Sequence, residues 1–204
     1  MCRPFFVTAV SVNISMQNTF IDPEGNYDLL YPYVKDKKLH TIIDVGAWWG
    51  PWSLWWHNKA RQVEIFEPNQ KILPELKNKI KDLKNCTLYE VALGDTAGNV
   101  SMEYATHSGT NHIKDMNGNI TLKTLDSYNF NNVDIIKIDA EGYEIPVLKG
   151  ARKTILENRP WIQIEGNKSG KRYGRTKLDI NIFLQDIGMT RVAKKWPDQI
   201  WTFK

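Results

Sequence analysis

Residues 39–50 read LHTIIDVGAWWG. A mostly apolar, β-branched run that stops at a glycine is the pattern of a strand buried on both faces, because a half-exposed strand alternates apolar with polar. Pro51 follows, at a position where the first turn of a helix tolerates it because no N–H is needed there. Trp52, Ser53, Trp55, Trp56 and Ala60 then fall at helical spacing. Strand, glycine turn and helix form the unit from which parallel sheets are built, so this stretch predicts an α/β protein.

The same unit recurs outward from it. ARQVEIFEP (60–68) reads as a second strand stopped by Pro68, and Ile72, Leu76, Ile80 and Leu83 predict a helix over 70–84. TLYEVALGD (87–95) reads as a third strand, VDIIKIDAEG (133–142) as a fourth and PWIQIEGN (160–167) as a fifth, with helices over 144–157 and 177–187. Residues 96–132 read as short antiparallel strands around a polar loop, 105–119, and TRVAKKWPDQIWTFK (190–204) as a closing hairpin. Together they predict a doubly wound, mostly parallel sheet with an antiparallel C-terminal hairpin. Residues 1–20 read as an extension, with Met16 as an alternative start and no small-residue cleavage site of a leader; 21–204 read as a single domain.

Composition sets the outer bounds. The 204 residues are 42% hydrophobic and 25% charged, enough for one sizeable core and unlike a disordered chain. Two cysteines, Cys2 and Cys86, make neither a disulfide framework nor a four-ligand zinc site, and no apolar run reaches the ~18 residues of a span. A cytoplasmic protein is the expectation. The net charge of +4 is uneven, −3 over residues 1–150 and +7 over 151–204, and KSGKRYGRTK (168–177) alone carries five basic side chains. That leaves room for an anionic partner.

In such sheets ligands bind at the carboxyl ends of the strands, and those ends carry the informative residues. The first has Asp44, Gly46, Ala47, Trp48, Trp49 and Gly50. The glycines are four apart, unlike the G-x-G-x-x-G of nicotinamide cofactors, and D-x-G-x-x-x-G is the pattern of S-adenosylmethionine loops. Glu67 closes the second strand, where an acid can accept from both ribose hydroxyls. Ala92 and Asp95, at the third, are positioned for an adenine. At the fourth, Asp139 and Glu141 emerge on the side of Lys137, with helix capping the alternative role for Glu141. Trp52, Trp55 and Trp56 read as core; Trp48 and Trp49 read as a wall for a sugar ring or a sulfonium cation.

IDVGAWWG, IFEPN, VALGDTAGNV, VDIIKIDAEGYEIPVLKGA and RPWIQIE, in that order between Thr41 and Glu165, resemble the FkbM-type S-adenosylmethionine-dependent methyltransferases. The resemblance implies a Rossmann-like, seven-stranded class I methyltransferase fold and methyl transfer to an oxygen, commonly a sugar or polyketide hydroxyl. It makes Asp44, Gly46 and Gly50 loop residues for the cofactor, Glu67 its ribose ligand, and Asp139 and Glu141 the acids beside the methyl group. Relatives have smaller or polar residues where Trp48 and Trp49 stand.

A protonated hydroxyl is a poor nucleophile, so a base or a pKa-lowering metal is expected. Asp139 is the candidate base, with His107 and His112 as alternatives. Asp139, Glu165 and Asn167 at neighbouring strand ends would be hard oxygen ligands for a divalent cation such as magnesium. Lys171, Arg172, Tyr173 and Arg175 would hold a phosphate of a nucleotide sugar or lipid-linked glycan. Two other readings stand beside this one. In the first the chain methylates RNA, although the fourth strand end lacks the proline-and-aromatic motif of base-amine methyltransferases. In the second it is a non-catalytic descendant whose cofactor site is filled by Trp48 and Trp49.

Overall fold

The computed structural model describes residues 26–104, 111–166 and 168–204; the expected N-terminal extension, His107 and Asn167 lie outside them. The N-terminal half alternates helix and strand as its patterning requires: α1 (Tyr31–Val34), β1 (Leu39–Val45), α2 (Pro51–Trp56), β2 (Ala60–Phe66), α3 (Leu73–Ile80) and β3 (Cys86–Tyr89). A small sheet follows, from β4 (Ala92–Leu93), β5 (Gly98–Glu103) and β6 (His112–Lys123). The chain then re-enters the main sheet with β7 (Val133–Ile138), α4 (Glu144–Gly150), α5 (Arg152–Asn158), β8 (Trp161–Glu165), α6 (Lys177–Asp186), β9 (Met189–Lys195) and β10 (Asp198–Phe203).

The main sheet has seven strands in the order β3-β2-β1-β7-β8-β10-β9. The first five are parallel, and β10 runs antiparallel to both of its neighbours. Strand order reverses between β1 and β7, so the loops leaving their carboxyl ends diverge and open a crevice. Alternation along β1 assigns its two faces. Ile42 joins Val63, Ile65, Ile135 and the residues of α1–α3, including Trp52 and Trp56, while Ile43 and Val45 join Ile136, Ile138 and the residues of α4–α6 and the small sheet. Both faces are thus covered, and Trp52 and Trp56 are core as their spacing predicts.

One polar row crosses the first of these faces. Asp44 on β1 lies in register with Lys137 on β7, and Lys137 with Gln163 on β8. All three are buried. Gln163 accepts from the Trp52 indole N–H at 3.3 Å and donates to the Asn26 carbonyl at 3.1 Å, so its amide has partners.

Four elements differ from the sequence-based expectation. The run 87–95 is not one strand: β3 ends at Tyr89, and Ala92–Leu93 leave the sheet edge to pair with Leu122 and Lys123 of β6, where both are buried. Much of the expected loop 105–119 is strand, because β6 starts at His112 and pairs with β5 from Glu103↔His112 onward. Its residues 114–119 are exposed, so no apolar alternation announces it. The helix expected over 144–157 breaks at Ala151, where a Cβ on Gly150 would overlap the Gly94 carbonyl. The helix expected over 70–84 begins only at Leu73, after a turn in which the Asn69 side chain accepts from the Lys71 amide at 3.0 Å, and ends at Ile80. Among the described residues no helix is long and apolar enough to cross a membrane.

Candidate active site

The turn after β1 is bent by three residues with positive φ: Gly46 at 77°, Trp48 at 53° and Gly50 at 81°. Gly46 is required by its neighbour, since a Cβ there would overlap the carbonyl oxygen of Asp139 on the adjoining strand end. Gly50 is crowded as well, a Cβ falling 2.6 Å from the Leu76 Cδ1. Trp48 is a bulky residue in the left-handed region and needs external support. Glu67 supplies it: Oε2 accepts the Trp48 amide at 2.7 Å, and Oε1 accepts the Asn69 amide at 2.8 Å. This acid is 5% exposed; burial pushes it up to about 7, and its two amide bonds oppose that shift.

Asp44 looks the other way. Its Oδ2 accepts from the Ser53 hydroxyl at 2.6 Å, and its Oδ1 lies 3.4 Å from the Lys137 ammonium, entirely out of solvent. Lys137 also lies 3.4 Å from Oδ2 of Asp139 and donates to the Gly46 carbonyl at 3.2 Å. Burial would strip its charge, but Asp44, Asp139 and Asp198 together hold it protonated.

The turn after β7 is the counterpart of the one after β1. The Asp139 amide donates to Val45 at 3.0 Å, tying the two strand ends together. Glu141 at φ 51° and Gly142 at φ 100° then reverse the chain. The carboxylate that holds this reversal belongs to Glu144, which accepts the Ala140 and Gly142 amides at 3.1 and 2.8 Å. The capping role weighed for Glu141 is not filled: α4 has Tyr143 at its N-cap and no side-chain capping bond. Burial, and the charges of Asp139 and Glu144, push Glu141 up to about 8. Glu165, at the end of β8, is pushed up to about 10 by burial first and then by Asp139 and Glu141, and it hydrogen-bonds to Asp139. A second carboxyl that close disfavours ionisation of Glu165.

These strand ends enclose a cavity of about 270 Å³. Of the sequence-predicted residues, Gly46, Trp48, Glu67, Ala92, Asp139, Glu141, His112 and Glu165 all line it. Its remaining wall is mostly apolar, with Phe66 and Ile72 on one side and Met102 and Ile113 of the small sheet on the other. Trp48 borders this space and leaves it open.

The other expected residues lie elsewhere. Asp44, Ala47 and Gly50 shape the β1 turn from behind and do not line the cavity. Asp95 is exposed beyond it. Trp49 packs outside, with its carbonyl accepting from Lys79 at 3.3 Å and the Lys79 ammonium 5.5 Å from its ring centroid. In the basic segment, Tyr173 is committed to the scaffold: its hydroxyl donates to the Ile113 carbonyl at 2.6 Å and its ring meets Tyr143 edge-on at 5.1 Å. Arg172 donates to the Glu141 carbonyl at 3.3 Å. Lys171 and Arg175 are exposed on the same short turn, which abuts the cavity rim because a Cβ on Gly142 would meet the Ser169 backbone at 2.5 Å. Sequence reasoning missed Glu144 and the linking role of Lys137; both depend on which strand ends adjoin, which spacing along one strand does not encode.

The expected cation ligands do not assemble. Among the described residues no three His, Cys, Asp or Glu side chains converge as a metal site. Asn167, one of the three expected ligands, lies outside those residues.

A sheet in this order, with a cavity at the ends of its central strands, defines the class I methyltransferase fold. The chain belongs to the FkbM methyltransferase family: the methyltransferase FkbM domain matches residues 44–188. Among solved structures, methyltransferase FkbM from Methylobacillus flagellatus superimposes with a TM-score of 0.58 at 20% identity, over 87% of this chain and 48% of that one. The chain thus spans about half the length of that protein. An rRNA methylase from Streptococcus thermophilus gives 0.53 at 11% identity, over 88% and 95% of the two chains. SMU.1697c from Streptococcus mutans, solved in complex with SAH, gives 0.53 at 15% identity, over 85% and 94%. At these identities the likeness is one of fold. No curated protein matches the chain significantly in sequence.

Proposed function

We propose that this cavity binds S-adenosylmethionine and that the chain transfers its methyl group to a hydroxyl of a sugar or related natural product. One observation carries the reading: Gly46 and Trp48 after β1, Glu67 after β2, Ala92 in β4 and Asp139 after β7 border a single cavity. They match a nucleoside with a charged tail. Ala92 and the apolar wall suit an adenine, and the lone pairs of Glu67 not used by its two amides suit ribose hydroxyls. Trp48 and Asp139 lie where a cation is welcome.

When bound, the sulfonium supplies an electrophilic methyl carbon. The chain's own residues do the rest. Asp139 orients the acceptor hydroxyl and takes its proton as the oxygen–methyl bond forms and the sulfur–methyl bond breaks. Lys137 holds Asp139 in place by an ion pair at 3.4 Å. The apolar wall keeps competing water away from the methyl carbon. Lys171 and Arg175, exposed beside the rim, suit an acceptor that carries a phosphate away from its reacting hydroxyl.

The test has two stages. Calorimetry with S-adenosylmethionine and its demethylated product decides between an enzyme and a non-catalytic descendant. A methyl-transfer screen over sugars, nucleotide sugars and RNA then names the acceptor class. Transfer to RNA with a steep salt dependence, and none to sugars, overturns the sugar reading.

A further inference from the structure

We propose that Lys137 is a positioning residue that locks the donor-binding turn and the proton-accepting acid into one unit; this rests on the cavity being the donor site. Its ammonium is buried at the junction of β1 and β7 and meets three groups at once: the Gly46 carbonyl at 3.2 Å, Asp44 at 3.4 Å and Asp139 at 3.4 Å. The contact with Gly46 is a hydrogen bond, and the two with the carboxylates are ion pairs. Two of these partners border the cavity and the third does not.

The bland alternative is that Lys137 only neutralises Asp44. Asp44 is fully buried and bonded to Ser53, and a lone buried carboxylate would be costly without a countercharge. That role, however, needs no contact with Gly46 or Asp139. Gly46 lies between the two strand ends, close enough that a Cβ would overlap the Asp139 carbonyl, so the turn has no side chain of its own with which to fix its carbonyl. Trp48, two residues on, sits at φ 53°. The turn is therefore held from both ends, by Glu67 at the Trp48 amide and by Lys137 at the Gly46 carbonyl. Without the second tie Asp139 loses its cation and the Gly46 carbonyl is left inside without a donor.

Three variants isolate this role: Lys137→Met, Asp44→Asn, and the two combined. Lys137→Met alone leaves Asp44 uncompensated and is expected to fold poorly. The combined variant removes both buried charges and is expected to fold with a thermal midpoint near that of Asp44→Asn. Asp44→Asn keeps the lysine bonds to Gly46 and Asp139, so the comparison between it and the combined variant reports Lys137 alone. Relative to Asp44→Asn, the combined variant should show faster amide hydrogen exchange at residues 46–48, bind the demethylated cofactor about tenfold more weakly, and lose about a hundredfold in turnover. Equal exchange, affinity and turnover in the two would overturn the proposal and leave Lys137 a countercharge. If the unsubstituted chain binds neither form of the cofactor, the donor-site reading fails on its own; the exchange comparison, which needs no ligand, still decides whether Lys137 holds the turn.

Discussion

Oε2 of Glu67 accepts the amide of Trp48 at 2.7 Å, and that bond fastens a tryptophan with φ 53° to the end of the neighbouring strand. The acid that sequence position suggests for a ribose is, in the folded chain, first a clamp on the turn that would face the cofactor. Glu67→Gln separates the clamp from the charge. The amide side chain offers one acceptor oxygen where two backbone donors need one each, so either Trp48 or Asn69 loses its bond. The expected cost is about 1–3 kcal/mol of stability by denaturant unfolding. Affinity for the demethylated cofactor should fall about tenfold by calorimetry, a loss of about 1.4 kcal/mol. A variant as stable and as tight as the parent would mean that neither role is real.

Gly46 and Gly174 share a left-handed backbone, at φ 77° and 67°, but differ in their surroundings. Nothing lies within 4 Å of a Cβ on Gly174, whereas a Cβ on Gly46 would overlap the Asp139 carbonyl. Gly174→Ala should cost about 1–2 kcal/mol, the backbone strain alone. Gly46→Ala must move one strand end off the other, so it should give insoluble protein or a thermal midpoint lower by at least about 10 °C. Similar losses for the two would deny the close approach of β1 and β7.

The buried acids fix the sign of the pH dependence. Glu67 and Glu144 are pushed up to about 7, Glu141 to about 8 and Glu165 to about 10, each mainly by burial. Folded values above the unfolded 4.5 mean that the native state keeps protons the unfolded chain releases. Their stabilising contribution is whole below about pH 4.5 and is lost as pH rises through the folded values. The thermal midpoint should therefore fall between about pH 5 and pH 8, and Glu165→Gln, neutral at every pH, should shallow that fall over the whole interval. A midpoint rising over this interval would refute the buried, protonated acids.

Much of this was legible in the sequence, for a physical reason. Strands buried on both faces leave continuous apolar runs, and residues just after them must face the crevice, so Gly46, Glu67 and Asp139 were found from one-dimensional pattern. What pattern lacked was register and remote contact. Lys137 pairs with Asp44 only because β7 lies beside β1 in that register. Tyr173 reads as part of a phosphate-binding run because its sequence neighbours are basic, yet its hydroxyl is taken by Ile113, 60 positions away. The third strand reads as continuous through Val91 because its apolar residues serve two sheets in succession.

Tyr173 and its basic neighbours should accordingly separate in experiment. Tyr173→Phe removes the bond to the Ile113 carbonyl and should cost about 0.5–1.5 kcal/mol in stability, with little change in KM. Lys171→Ala with Arg175→Ala should leave stability unchanged within about 0.5 kcal/mol, since both are exposed. If the acceptor carries a phosphate, the paired substitution raises KM for it about tenfold or more and leaves KM for unphosphorylated analogues alone. An equal KM change for both acceptor types would remove phosphate recognition from this turn.

Asp139→Asn tests the chemistry itself. The amide keeps the shape of the side chain and can still accept a hydrogen bond from Lys137 or Glu165, so the turn after β7 should survive. It cannot take a proton from a hydroxyl at neutral pH. Turnover should fall by about 10²- to 10⁴-fold, the usual contribution of a positioned base, while affinity for the demethylated cofactor stays within about threefold. If affinity collapses with turnover, Asp139 serves the donor and the base must be sought in His112, which also lines the cavity. If turnover is untouched, the acceptor ionises without help from this side chain, and proton acceptance by Asp139 is wrong even where donor binding is right.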